Sequence, residues 1–140
     1  APESSAGGDH EVLAQTLWGE ARGEGKVGME AVAAVIVNRW RTKYRGKTGV
    51  SDVCLDPWQF SCWNANDPNR RAMQRVLANP DADFKLALEV GRRALSGQIP
   101  DPTEGARHYV STSLRQRPHW LDDKRPCAVI GRHEFYNDIA

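Results

Sequence analysis

The chain has 140 residues and a formal net charge of +1, with 19 Lys and Arg against 18 Asp and Glu. That length suits one domain with a real core, and a charged fraction of 26% beside 40% apolar residues excludes a disordered chain. No apolar run reaches the length of a bilayer span, and the near-neutral balance argues against nucleic acid as the main partner.

Residues 1–8 form a polar, Gly/Ser-containing lead, expected to be flexible and to stand outside a single domain over 9–140. A first helix is predicted from about Asp9 or His10 to Arg22, where Val12, Leu13 and Leu17 recur at helical spacing and Thr16 joins them. At about 100° per residue, Glu20 falls on that apolar stripe, roughly 20° from Leu13 and about 60° from Leu17. A charged carboxylate there is costly, so it must find a partner or keep its proton. A carboxyl that keeps its proton near neutral pH is what a general acid requires. Gly19, Gly23 and Gly25 break the helix around it and let another backbone or a ligand approach. Taken on periodicity alone, an ion pair with Arg22 or Arg39 accounts for Glu20 better than catalysis does.

A second helix is predicted over about Lys26 to Arg41, and its run Ala31–Val37 is small or apolar on every face, as in a buried central helix. Five positive charges with two aromatics between them lie within Arg39–Lys47, which reads as a solvated helix end. The stretch from Thr42 to Asn66 is irregular and carries the site-like aromatics Trp58, Phe60 and Trp63. Asp67-Pro68 and Asn79-Pro80 each offer a cap followed by proline in the first turn, so helices are predicted to start there. The second of these runs from Pro80 to Ser96 and stops at Gly97. Short strand-like pieces follow at Arg107–Ser111 and Ala128–Tyr136. The class is α+β: a helical body with a small antiparallel sheet.

The segment Leu17–Arg39, LWGEARGEGKVGMEAVAAVIVNR, resembles the opening of the SleB/CwlJ-type cell-wall hydrolase family (spore cortex-lytic enzymes and related bacterial and phage endolysins). Later blocks match in order: Pro57-Trp58-Gln59-Phe60-Ser61, the helix Ala87–Gly97 followed by Pro100–Ala106, Tyr109, Trp120, and the terminal Ile130–Tyr136. The resemblance covers about residues 10–136. It implies a lysozyme-like fold and a peptidoglycan-degrading enzyme that cleaves the MurNAc–GlcNAc bond of glycan strands. It also implies lytic transglycosylation, in which one glutamate, Glu20, protonates the leaving oxygen and then deprotonates the sugar's own C6 hydroxyl to close a 1,6-anhydro ring. A hydrolytic muramidase or glucosaminidase that adds water is the alternative within the same class, and a non-catalytic wall-binding module is the alternative outside it.

Glycosidic cleavage commonly uses two carboxylates flanking the bond. Glu24 is one helical turn from Glu20, too close and poorly directed for that, and is expected to cap or pair instead, with Arg39 as a candidate partner. A glycan groove also needs flat apolar faces and orienting amides or hydroxyls, for which Gln59, Phe60, Ser61, Trp63, Tyr109 and Trp120 have the chemistry. Asn38 and Arg39 are expected to tie helix two to the glutamate loop, and His133 to be a buried, hydrogen-bonded histidine near the site. His108, His119, His133 and Cys127 lack the close spacing of zinc ligands, so no metal and no cofactor are expected. Cys54 and Cys62 can either bridge or, with Cys127, remain free thiols. The expected partner is the peptidoglycan glycan strand, met by a monomer that is exported to the periplasm or cell wall or released by a phage at host lysis. No signal peptide is visible in the chain. The QFSCWN segment and the additional cysteine depart from the spore members of the family, which favours phage lysis or general wall remodelling over a cortex role.

Overall fold

The computed structural model describes residues 2–139, with side chains from residue 8 onward. Residues 2–8 of the expected lead belong to the first helix, which begins at Pro2 rather than at Asp9 or His10. Five helices, α1 (Pro2–Ala21), α2 (Gly25–Arg41), α3 (Val50–Leu55), α4 (Pro68–Ala78) and α5 (Ala82–Leu95), precede three short strands, β1 (His108–Ser111), β2 (Ala128–Ile130) and β3 (His133–Tyr136). Short 3₁₀ turns lie at Tyr44–Gly46, Ser61–Trp63 and His119–Leu121. No described helix is long and apolar enough to cross a membrane.

Helix α2 is central because its sequence leaves it no polar face. Every residue from Ala31 to Val37 is buried, and covering each Val or Ile side chain is worth about 1.5–3 kcal/mol. Helix α1 lies beside it and packs on α5, α2 and α3, burying Leu13, Ala14 and Leu17 completely. A Cβ at Gly91 of α5 would meet His10 and Leu13 of α1 at 3.5–3.6 Å, ordinary contact distance, so the two helices pack side by side here without needing the glycine. The charged run after α2 is not a uniformly solvated helix end. Arg39 is buried, and Arg45 pairs with the covered Asp56 at 2.6 Å.

Three further expectations about elements change. The stretch 42–66 contains a six-residue helix, α3. Helix α5 starts at Ala82 rather than Pro80: the Asp81 carboxylate accepts from the Phe84 amide at 2.7 Å and is the true cap, while Asn79 closes α4. The piece Ala128–Tyr136 is two strands rather than one, because Gly131, with φ +57, turns the chain back on itself. The sheet order is β1-β3-β2, antiparallel throughout, with Tyr109 opposite Phe135. Phe135 is fully buried and joins Ala31 and Val35 of α2 in one cluster, so the sheet is held against the central helix near the end of α1.

Candidate active site

Glu20 is in the last turn of α1, half-buried. The residue before it decides what surrounds it. A Cβ on Gly19 would lie 2.8 Å from both Cys62 Cβ and Met73 Sδ, closer than real Cβ contacts, so only glycine lets the Ser61–Trp63 turn and α4 press against the helix here. That approach brings the Cys62 amide to donate to Glu20 Oε2 at 3.3 Å. From β1, the Tyr109 hydroxyl donates to Oε1 at 2.6 Å. Burial, and then the neighbouring Glu20 charge, hold the Tyr109 phenol well above its ordinary value, so it remains a donor.

Glu20 thus finds partners, but neither is the arginine that an ion pair would need. Arg22 donates to the Trp18 carbonyl at 3.3 Å and Asn69 Oδ1 at 2.6 Å, and lies 4.0 Å over the Trp18 ring. Arg39 donates to the Arg107 carbonyl at 2.6 Å and to Gln59 Oε1 at 3.3 Å. Nor does Arg39 pair with Glu24. The Glu24 carboxylate takes the Arg132 amide at 2.8 Å and its Nε at 2.9 Å, with a further ion-pair contact to the guanidinium at 2.9 Å. Gly131 permits this, because a Cβ there would stand 2.6 Å from Glu24 Oε1. The Arg132 amide, against the opposing effect of burial, keeps Glu24 below the usual carboxylate range. Glu24 also occupies the N-cap position of α2, yet its side chain makes no capping bond.

Glu20 opens onto a cavity of about 210 Å³ that also includes Arg22, Glu24, Ser111, Ser113, Arg132 and His133 in its wall. Tyr109, bonded to Glu20, belongs in turn to the wall of a larger cavity of about 430 Å³, with Tyr44, Gln59, His108 and Trp120. The structure therefore gathers Gln59, Tyr109, Trp120 and His133 around the carboxylate's surroundings. Trp120 is 39% exposed, and its ring is set against His108 and Tyr136. Ser61 is exposed beside Cys62. Trp63 is half-buried, donating its indole N–H to Thr16 Oγ1 at 2.8 Å while it walls a separate cavity with Trp58.

Phe60 is a correction. It is 2% exposed, with its ring beneath the Arg39 guanidinium at 5.3 Å, so it supports the wall from inside and offers no face to a sugar. Asn38 is a second correction. It donates to Asp101 Oδ2 and the Ala106 carbonyl, both at 2.9 Å, and so ties α2 to the 101–106 turn rather than to the glutamate loop. His133 is near the site as expected, 4.9 Å edge-to-face from Tyr109, but its Nδ1 has no partner among the described residues. Burial lowers its pKa.

Several residues of these cavity walls carry no signal of that place in the sequence: Tyr44, His108, Ser111, Ser113 and Arg132. In the sequence His108 reads only as a metal ligand. Among the described residues no three His, Cys, Asp or Glu side chains gather as a metal site. His108 instead exchanges a 2.8 Å hydrogen bond with Tyr44, and burial, reinforced by the Arg39 and Arg107 charges, pushes its pKa down to about 4. Arg132 lies inside the terminal block Ile130–Tyr136, where nothing local marks it as the partner of Glu24. The three cysteines are free. Burial pushes the Cys54 thiol up to about 12, and burial followed by the Glu20 charge raises Cys62, so both stay as inert thiols.

A family model described as Cell Wall Hydrolase matches residues 23–136. The chain belongs to the cell wall hydrolase family. It is similar to the spore cortex-lytic enzyme of Halalkalibacterium halodurans, with 32% identity over 136 residues, 97% of this chain and 37% of the relative. The Bacillus subtilis spore cortex-lytic enzyme is 30% identical over 134 residues, 96% of this chain and 39% of the relative. The chain thus spans roughly two fifths of the length of these curated family members. Among solved structures it is similar to the catalytic domain of the germination-specific lytic transglycosylase SleB from Bacillus anthracis, with TM-score 0.67, 29% identity, and 91% and 93% of the two chains covered. The Bacillus cereus SleB catalytic domain gives TM-score 0.66 at 28% identity, with 91% of this chain and 88% of that one covered. The fold is accordingly the lysozyme-like one of these family catalytic domains. The family match begins at Gly23, just beyond Glu20.

Proposed function

We propose that the chain degrades peptidoglycan by cutting the MurNAc–GlcNAc bond of glycan strands as a lytic transglycosylase, with Glu20 as its single acid and base. One observation carries the single-residue mechanism. In the cavity around Glu20 the other carboxylate is Glu24, and its oxygens are already taken by Arg132. No second carboxylate in that wall is available as a nucleophile or as a base for water.

The two oxygens of Glu20 have different surroundings. Oε1 accepts the short Tyr109 bond, while Oε2 has the long contact to the Cys62 amide. Oε2 is therefore the oxygen that carries the proton to the glycosidic bridge. As the C1–O bond breaks, the leaving sugar takes that proton and positive charge develops at C1, next to the anion now on Glu20. The carboxylate then removes the proton from the C6 hydroxyl of the same muramyl ring while O6 closes on C1, which gives the 1,6-anhydro product and restores protonated Glu20. A well-placed intramolecular nucleophile reaches effective molarities of about 10⁵–10⁸ M, so water need not be positioned. Tyr109 holds the carboxyl in place throughout, and Gln59 and Trp120 are the proposed contacts to flanking sugars. The setting is the cell wall, reached after export or after phage release.

The test is mass spectrometry of soluble fragments released from purified peptidoglycan by the wild type and by Glu20→Gln. Products one water lighter than their reducing-end counterparts, absent with the variant, are expected. Reducing-end products would overturn the anhydro step, and undiminished release by the variant would overturn the role of Glu20.

A further inference from the structure

Trp58 is the most exposed large apolar residue of the described chain, at 82%, and its backbone is in the left-handed region at φ +67. Bulky side chains rarely adopt that conformation, and such strain persists where the surroundings impose it, often at ligand clamps. Packing does not explain Trp58, since its ring lies mostly in solvent. Among the described residues its indole N–H has no acceptor. The chain holds a large flat ring outward, in a backbone conformation that glycine or asparagine would adopt more easily.

What the ring borders gives it a use. It forms part of the wall of the 430 Å³ cavity that includes Tyr109 and Gln59, and also of a second cavity of about 470 Å³ with Leu55, Pro57, Asn64 and Asn66. No charged side chain belongs to that second wall. It pairs an apolar face with two side-chain amides, which suits the CH face, acetamido group and hydroxyls of an uncharged amino sugar. It suits a charged stem peptide poorly.

We propose that Trp58 is the platform of an additional saccharide subsite, stacking on a ring of the same glycan strand away from the bond that is cut, and that it sets a preference for longer strands. This inference rests on the glycan-strand reading above and names where that strand continues. Binding energy from remote sugars is also available to position the reacting ring, so the preference extends from affinity to turnover.

The experiment is calorimetric titration of the Glu20→Gln protein with peptide-free glycan strands, one too short to reach Trp58 and one long enough, alongside cleavage of both by the wild type. Long strands are expected to bind about tenfold more tightly than short ones. Trp58→Ala in the same background removes that advantage, and Trp58→Phe, which keeps a flat ring, retains most of it. An undiminished advantage in Trp58→Ala overturns the subsite while leaving the glycan-strand reading intact. Length-dependent binding through Trp58 without cleavage by the wild type upholds the subsite and overturns the proposed activity. Binding of neither strand overturns both.

Discussion

The end of α1 and the start of α2 each present a glutamate, four residues apart in sequence, and the fold gives them opposite surroundings. Glu20 meets two uncharged donors, a phenol from β1 and an amide from the Ser61–Trp63 turn. Glu24 meets a cation and an amide, both from Arg132. The Glu24 oxygens are engaged by a fixed cation, whereas those of Glu20 are held by uncharged donors alone. The surroundings of each carboxylate are set by partners 42 and 89 residues away for Glu20 and 108 for Glu24, not by the helix end that carries it.

Substitutions at the two positions should separate most in activity. Glu20→Gln is expected to lower strand cleavage by about 10²–10⁴-fold, the usual share of a general acid, while Glu24→Gln, measured in the same assay, loses far less. Comparable losses would collapse the contrast. Tyr109→Phe removes the short bond to Oε1 and leaves the ring packing in place. Loss of one hydrogen bond to a charged group should lower kcat by about 10–100-fold, with thermal unfolding showing whether stability changed as well. Gly19→Ala attacks the same region through its backbone. The added methyl has no room beside Cys62 and Met73, and overpacking of this kind costs about 1–3 kcal/mol, readable by denaturant unfolding together with reduced activity.

The smallest effect belongs to Glu24 and is a matter of pH. Its folded pKa is depressed, chiefly by the Arg132 amide, from an ordinary value of 4.5. Its stabilisation is therefore complete above that ordinary value and is lost as pH falls through the lower folded value. Because the Arg132 side chain is 75% exposed, the contribution is about 1 kcal/mol or less. A Tm-against-pH series should show a shallower acid limb for Glu24→Gln than for the wild type. Identical limbs would mean that the pair contributes nothing.

Local chemistry made much of the helical body legible. The unbroken apolar run of α2 and the Leu13/Leu17 stripe of α1 report burial directly, and Asp67-Pro68 marks the start of α4 because cap and proline act within one turn. Legibility ended where a role depends on distant chain. Nothing near Glu24 names Arg132, and nothing near Phe60 shows that Arg39 lies over its ring. Asn79 and Asp81 are both good caps, and the fold uses the first to close α4 and the second to open α5. Gly19 was visible as a point of close approach, but which segment approaches was not. Trp58 stands in the sequence as one site-like aromatic among several, since alternation and periodicity carry no signal of a positive φ.

The sheet order has a consequence for the timing of activity. Strand β1, which supplies Tyr109, is bonded only to β3, near the far end of the described chain. A growing polypeptide that has already completed all five helices still lacks the partner that fixes Tyr109 beside Glu20. The helical body can thus assemble early while the Glu20 carboxyl waits for its last support, and a chain cut short before His133 would carry the glutamate without the means to aim it.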